Sequence, residues 1–475
     1  MLLLARSSLA ATSTHPALPF GLAEPGCPPV SVDLLNTFTV GSAKGITINK
    51  MQSAALACQL KAVLALSDVG NATAAAWLAS MYAAWRKSYH PQASGWRGSQ
   101  QQGGALVWHV PRSSRASWMS SLRTIVDINT NLSSKFWASL NAYSDLSPSE
   151  FAQAILMTPT TPKTPAQGKT AAVGNKTTTA STTNKTTAAT TTTTTTKARA
   201  RRLMANCWNC TPAPAYPAAI SWLAAGKVLP ATGFQAECAS SWAFATAAAL
   251  ESSLLIAAAT NTTAPLSAQH IMDCTSTQFN YSASACLRGS PTDALQLAAT
   301  AGVTAESAYR YRAATGSGGN LATTGQPAQC NRTFLTGQAA KVGLVRITAT
   351  PAYTPVQPTK LALIKALAAR PALALLAVDS TFQHYAGGVW SSPTCAHAAA
   401  PNHALLVVGY STEKPGFENF LAKNSLGASW GESGFVRIAM TDAGMCGMYQ
   451  ALVQAGDAAL VAPAKAGNST TAKRV

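Results

Sequence analysis

Residues 158–202 decide how the rest of the chain can fold. They are mostly Thr, Ala, Lys and Pro, include an unbroken threonine run over 190–196, and contain no aromatic residue. Such a segment cannot bury enough apolar surface to offset the entropy lost on ordering. The sequence therefore predicts a disordered linker, of a composition that suits O-linked sugars. The linker splits the chain into a smaller N-terminal part and a larger C-terminal part. Its end, Arg199-Ala200-Arg201-Arg202, reads either as a processing site or simply as a basic linker end.

Composition narrows the function classes. A chain of 475 residues can bury a sizeable core and hold more than one folded unit. The formal charge is +18, but much of the excess lies in thin segments such as 197–202. No basic stripe with interleaved aromatics is present, which argues against a nucleic-acid partner. The excess implies at most a weak preference for acidic surfaces. No apolar run is long enough for a membrane-spanning helix. The ten cysteines are an even count, and only Cys207 and Cys210 are close together. That spacing does not make a zinc site, so no metal or cofactor is expected and disulfides in an oxidising compartment are. Cys207-Trp208-Asn209-Cys210 has the spacing of a redox motif without the βαβ pattern that should follow it; a small disulfide or a piece lost on processing is the simpler reading. Sequons at Asn71, Asn131, Asn261, Asn280, Asn331 and Asn468 agree with secretory passage. Residues 1–6 open like a signal peptide, but Pro16, Pro19 and Pro25 follow too soon for a sustained apolar core. Either the targeting segment is atypical or the start is not the natural one.

Periodicity places several elements. Trp77, Leu78, Met81, Tyr82 and Trp85 recur at helical steps over 73–89, as do Trp118, Leu122, Ile125 and Ile128 over 117–132. A short strand from Phe136 should precede a helix capped by Ser147, with Pro148 at its first position. Residues 242–258 are rich in Ala and Leu without Pro or Gly, which predicts one long buried helix with Ser241 at its amino end. The unpaired N–H groups there favour negative charge on a nucleophile or oxyanion. Residues 404–410 and 435–439 read as strands.

From residue 214 to 453 the order of motifs resembles the papain-like cysteine proteases, cathepsin L-like members in particular. The nucleophile segment is Gln235-Ala236-Glu237-Cys238-Ala239-Ser240-Ser241-Trp242-Ala243-Phe244; Leu266-Ser267 with Gln269 and Asp273-Cys274 follows. Asn402-His403 opens a Val/Leu-rich strand, and Lys423-Asn424-Ser425 leads into Trp430-Gly431. The resemblance implies an α+β, papain-like two-lobed fold, one lobe helical and one a twisted β-barrel, with the cleft between them. It implies catalytic roles for four residues. Ser241 stands in the nucleophile position, His403 is the base, Asn424 orients the imidazole, and Gln235 donates to the oxyanion. It further implies substrate contacts at Gly289, Pro291, Asn402 and Ala451, and disulfides Cys238–Cys286, Cys274–Cys330 and Cys395–Cys446. The expected partners are peptide or protein substrates, cystatin-type inhibitors and the chain's own propeptide. His384 and His397 are read as surface histidines.

The decisive departure is Ser241, where the family has cysteine. A thiol is drawn into a thiolate–imidazolium pair by its surroundings, whereas a serine hydroxyl must lose its proton as it attacks. Asn424 brings no charge to stabilise the resulting imidazolium. Leu426 replaces the Trp that shields the His–Asn bond, and Glu237 could bring negative charge near the oxyanion.

Upstream, Trp118, Ile125, Asn129, Asn141, Tyr143 and Asp145 resemble part of the family's inhibitory propeptide; Val110, Ser114, Ser121 and Ser139 depart from it. The implied organisation is an N-terminal segment with an atypical targeting region over 1–70, a propeptide over 71–157, the linker over 158–212, a peptidase domain over 213–455 and a tail over 456–475. Two functions stay open: a secretory or lysosome-like peptidase with an impaired nucleophile, and a non-catalytic scaffold that binds peptides or inhibitors.

Overall fold

The computed structural model describes residues 18, 22, 24–40, 48–89, 115–157, 216–257, 263–278, 286–312, 330, 344–395 and 400–461. The threonine-rich linker, Cys207, Cys210 and His397 lie outside them. The described residues up to 157 and from 218 onward form one compact unit.

Four helices lead the chain: α1 (Val32–Val40), α2 (Lys50–Asp68), α3 (Ala72–Tyr89) and α4 (Arg115–Thr130). The predicted stripes on α3 and α4 are buried together, with Trp77, Met81, Trp85, Trp118, Leu122 and Ile125 each no more than 3% exposed. Helices α1 and α2 join the same cluster through Leu35, Phe38, Leu56, Leu60 and Val63. The disulfide Cys27–Cys58 ties the segment before α1 to the middle of α2. Strand β1 (Phe136–Ala138) and helix α5 (Pro148–Ile155) follow. Helix α5 starts with the expected capping box, Ser147 accepting from the Glu150 N–H and Glu150 reaching back to the Ser147 N–H.

Strand β2 (Ala219–Ser221) precedes the central helix α6 (Ser241–Ala257). The small alanine side chains let neighbours approach α6 from nearly every side, and all but three of its residues are buried. Helices α7 (Ala268–Gln278) and α8 (Pro291–Thr300) complete the helical lobe. Then come β3 (Leu344–Ile347), β4 (Tyr353–Val356), α9 (Lys360–Leu367), β5 (Ala372–Leu376), the short α10 (Ser380–Gln383), β6 (Tyr385–Trp390), β7 (His403–Ser411), β8 (Asn419–Lys423), β9 (Phe435–Ala439), β10 (Leu452–Ala455) and β11 (Ala458–Val461).

The main sheet runs β1-β6-β9-β8-β7-β5-β10-β4, with β2 added on β7; β11 and β3 form a separate pair. Among the described residues, only β6 and β9 pair in parallel. Strand β7, buried along eight of its nine residues, is the axis of the barrel lobe and packs against α6. The expected disulfides Cys238–Cys286, Cys274–Cys330 and Cys395–Cys446 all form. The α+β two-lobed architecture is as the motifs implied.

Helices α1 and α2 are elements that the sequence reading did not find. The signal was there: Asn49 and Gln52 form a capping box, and Leu56, Leu60, Val63 and Leu64 recur at helical spacing.

Candidate active site

Four chain segments meet between the lobes. Ser241 opens α6 and is fully buried. His403 is the first residue of β7, and Asn424 directly follows β8. Gln235 lies in the loop before α6, tied by its backbone N–H to the Ser425 carbonyl at 2.9 Å.

Among the described residues, the imidazole of His403 is held by one polar contact, Nε2 to Asn424 Oδ1 at 2.8 Å. With Asn424 Oδ1 as acceptor, Nε2 carries the proton and Nδ1 is a bare acceptor. Nδ1 is buried with no hydrogen-bond partner among the described residues. Burial pushes the His403 pKa down to about 4, with the Asn424 contact opposing the shift. The imidazole is therefore neutral at ordinary pH. Phe382 meets its ring edge-on, with centroids 5.6 Å apart, and Trp430 packs on Phe382 at 4.8 Å. These rings cover His403, and Leu426 is itself fully buried. The sequence reading missed Phe382, which no local pattern marks.

Ser241 does not engage His403. Its Oγ accepts the backbone N–H of Ala404 at 3.2 Å, and Nδ1 is left unpaired. The hydroxyl is anchored one residue beyond the base it would need for activation.

Gln235 is oriented from both ends. Ser425 Oγ donates to its Oε1 at 2.7 Å, which fixes the amide so that Nε2 donates. Nε2 gives its hydrogens to the Cys238 carbonyl and the Ile155 carbonyl, each at 2.8 Å. Ser425 also donates its own N–H to Asn424 Oδ1 at 2.8 Å. One residue thus contacts both polar arms of the site, another role invisible in the sequence pattern.

Ile155 belongs to the N-terminal region, and its carbonyl on Gln235 marks where that region crosses the cleft. Two residues on, the Met157 N–H donates to the Asn402 carbonyl at 2.7 Å. The side chain of Asn402 does not face this segment; it is paired at both ends with the Val378 backbone. Gly289 lies so close to Trp242 that a Cβ there would come within 2.0 Å of the ring. Pro291 is the first residue of α8, and Ala451 gives its carbonyl to the Leu375 N–H at 3.2 Å. Of these four residues, the hydrogen bonds bring Asn402 to the cleft segment.

Other contacts hold the N-terminal region on the barrel lobe. Strand β1 pairs antiparallel with β6. Asn141 Nδ2 donates to the Gln383 carbonyl at 2.8 Å, and Gln383 Nε2 returns bonds to Tyr143 and Leu146. Tyr143 stacks on Phe234 with centroids 5.5 Å apart. Burial raises the pKa of both Tyr143 and Asp145, and the charge of Glu237 adds to the shift in each. His384, read from sequence as a surface histidine, is instead 3% exposed, and burial lowers its pKa to about 3. It sits under the docked N-terminal region, its carbonyl accepting the Ser139 N–H.

Comparison with known proteins bears on the family and the fold. The model of the papain family cysteine protease matches residues 216–455, half of the chain. The chain is 31% identical over 235 residues to the cathepsin L-like proteinase of Fasciola hepatica, covering 49% of this chain and 64% of that one. It thus spans less than two thirds of that relative's length. Among solved structures, procathepsin L2 from Tenebrio molitor larval midgut superposes with a TM-score of 0.54 at 22% identity, over 80% of this chain and 99% of that one. The proform of the ragweed pollen cysteine protease Amb a 11 superposes equally well, at 18% identity over 80% of this chain and 94% of that one. Each of these structural matches covers a larger share of the chain than the family model does.

Proposed function

Because the chain belongs to the papain family of cysteine proteases, we propose that it is a cathepsin L-like peptidase, made as a proprotein, whose Ser241 supports only weak hydrolysis of peptide bonds. The observation that carries this reading is the buried, neutral His403, held by Asn424 and facing a hydroxyl that bonds elsewhere. In the proposed reaction Ser241 rotates away from the Ala404 N–H and gives its proton to His403 Nδ1 as it attacks the peptide carbonyl. Gln235 Nε2 donates to the developing oxyanion, and His403 then protonates the leaving amine. Two costs slow these steps. The hydroxyl must give up an existing hydrogen bond, and the imidazolium forms in a buried site whose orienting partner is uncharged.

The N-terminal region acts as the inhibitory prosegment. While Ile155 occupies Gln235, the oxyanion donor cannot serve a substrate. Peptides would lie along Asn402, Gly289, Pro291 and Ala451 once the segment leaves, and cystatin-type inhibitors would compete for the same cleft. The disulfides support passage through the secretory pathway, to a lysosome-like compartment or the extracellular space.

A second reading, a silent peptide-binding scaffold, is favoured by the Ser241–Ala404 bond, which keeps the hydroxyl off its base. One assay separates the two. The processed protein is tested on fluorogenic peptides with an apolar second residue, beside Ser241→Cys and Ser241→Ala. Parent activity clearly above Ser241→Ala supports the peptidase. Parent activity equal to Ser241→Ala, with turnover gained by Ser241→Cys, makes the parent a scaffold.

A further inference from the structure

Asn424 also borders a partly open cavity of about 210 Å³, whose lining includes neither Ser241 nor His403 nor Gln235. It is smaller than the roughly 300–1,000 Å³ clefts that take drug-sized ligands. Phe244, Ala245, Ala248 and Leu266 supply apolar wall. Its polar lining residues include Glu251, Glu306, Lys423 and Asn424, and the arrangement of these four is lopsided.

At one end are donors. The side chain of Lys423 is 10% exposed, and its ammonium reaches one partner among the described residues, Glu251 Oε2 at 3.5 Å. An ammonium has three protons to place. Its neighbour Asn424 is 5% exposed, and its amide nitrogen is buried with no hydrogen-bond partner among the described residues. At the other end is an acceptor. Glu306 takes the Tyr311 N–H on one carboxylate oxygen at 2.7 Å, and its second oxygen has no described partner. The two ends are close. Glu251 accepts the Leu266 N–H at 2.8 Å, and the Glu306 N–H donates to the adjacent Pro265 carbonyl at 2.7 Å.

Glu251 and Lys423 offset each other's charge, which leaves Glu306 as the carboxylate without a buried cation. Burial and the charge of Glu251 raise its pKa to about 7, against the opposing pull of the Tyr311 N–H and of Arg310. Buried charges and donors of this kind are costly unless paired.

We propose that this cavity binds a free amino acid with an apolar side chain. Its carboxylate meets Lys423 and Asn424, its ammonium meets Glu306, and its side chain lies against Phe244, Ala245 and Ala248. Molecules of this class are what peptide hydrolysis ultimately releases. Binding does not depend on whether Ser241 attacks peptide bonds. It engages the idle amide nitrogen of Asn424, the residue that orients His403, and so links occupancy of the cavity to the candidate active site.

Calorimetric titration of the intact chain with L-leucine, isoamylamine and 4-methylpentanoate tests the site. The three probes share the apolar body and differ in which charges they carry. L-leucine is expected to bind one per chain, with a dissociation constant on the order of 1 mM, and each singly charged analogue at least tenfold more weakly. Glu306→Gln should weaken leucine at least tenfold, and Ala248→Leu, which fills the cavity, should abolish its binding. Absence of saturable leucine binding overturns the proposal. So does an analogue that binds as tightly as leucine, or a folded Glu306→Gln variant with parental affinity. The probe comparison uses the unaltered chain and decides the matter even where a variant does not fold. It reads binding rather than turnover, so its failure is distinct from failure of the peptidase reading.

Discussion

The carbonyl oxygen of Ile155 accepts from the side-chain amide of Gln235 at 2.8 Å, joining the last turn of an N-terminal helix to the loop before α6. The residues are 80 positions apart in sequence. The same amide also serves Cys238, and Ser425 sets its direction.

Gln235→Ala removes the donor shared by two buried carbonyls. An acceptor left unsatisfied costs about 1–3 kcal/mol, so the N-terminal region should loosen and the melting temperature of the intact chain should fall. In a processed Ser241→Cys background the same change should reduce kcat by roughly 10²–10³, the usual cost of one oxyanion donor. A kcat unaffected by Gln235→Ala would remove this residue from the proposed chemistry.

Gly387→Ala tests the docking of β1 without touching the cleft. A Cβ at Gly387 would come within 2.4 Å of the Trp137 ring, which is itself held by a bond from Nε1 to the Ile48 carbonyl. Overpacking of this kind costs about 1–3 kcal/mol. Hydrogen exchange at the Val389 N–H, bonded to the Lys135 carbonyl at 3.0 Å, should accelerate accordingly. Exchange at the parental rate would mean that β1 docks independently of this contact.

Asp145 sets a pH dependence for the same interface. Burial raises its pKa from 3.8 to about 7, the charges of Glu237 and Glu150 push in the same direction, and a backbone hydrogen bond and Arg86 oppose them. A carboxyl whose folded pKa is raised binds its proton more tightly when folded. Its contribution is complete below pH 4 and is lost as the pH rises through about 7. Asp145→Asn should therefore leave the melting temperature unchanged at pH 4 and raise it at pH 8, by at most about 4 kcal/mol of stability. Equal melting temperatures for parent and variant at pH 8 would contradict the sign.

Replacing Cys27 and Cys58 together by Ser opens a link between residues 31 positions apart. Loop-closure entropy puts the cost at roughly 3–4 kcal/mol. The loss should fall on α1 and α2 first, seen as faster proteolysis of the N-terminal region, while the disulfides of the two lobes stay intact.

What the sequence disclosed follows from the range of the interactions concerned. Residues 435–439, predicted as a strand from their own composition, are β9 to the residue. Ser147, Pro148 and Glu150 give a capping box because all its parts lie within four positions. Pairing of Cys238 with Cys286 followed from the family motif. The Gln235–Ile155 bond, the Ser241–Ala404 bond and the cover of Phe382 over His403 had no such signal. Each joins residues brought together only by the packed lobes. Helices α1 and α2 were a different case, since the capping box at Asn49 was legible and simply belongs to no motif of the papain-type pattern.

The antiparallel pairing of β1 with β6 has a further consequence. Strand β6 is joined to β9 on its other side, so departure of the N-terminal region strips one flank of its ladder. Trp390 and Val389 would then border a row of bare amide and carbonyl groups, a surface that invites another extended chain to zip onto it. Maturation of such a molecule would open its groove and, in the same act, leave it adhesive along one margin.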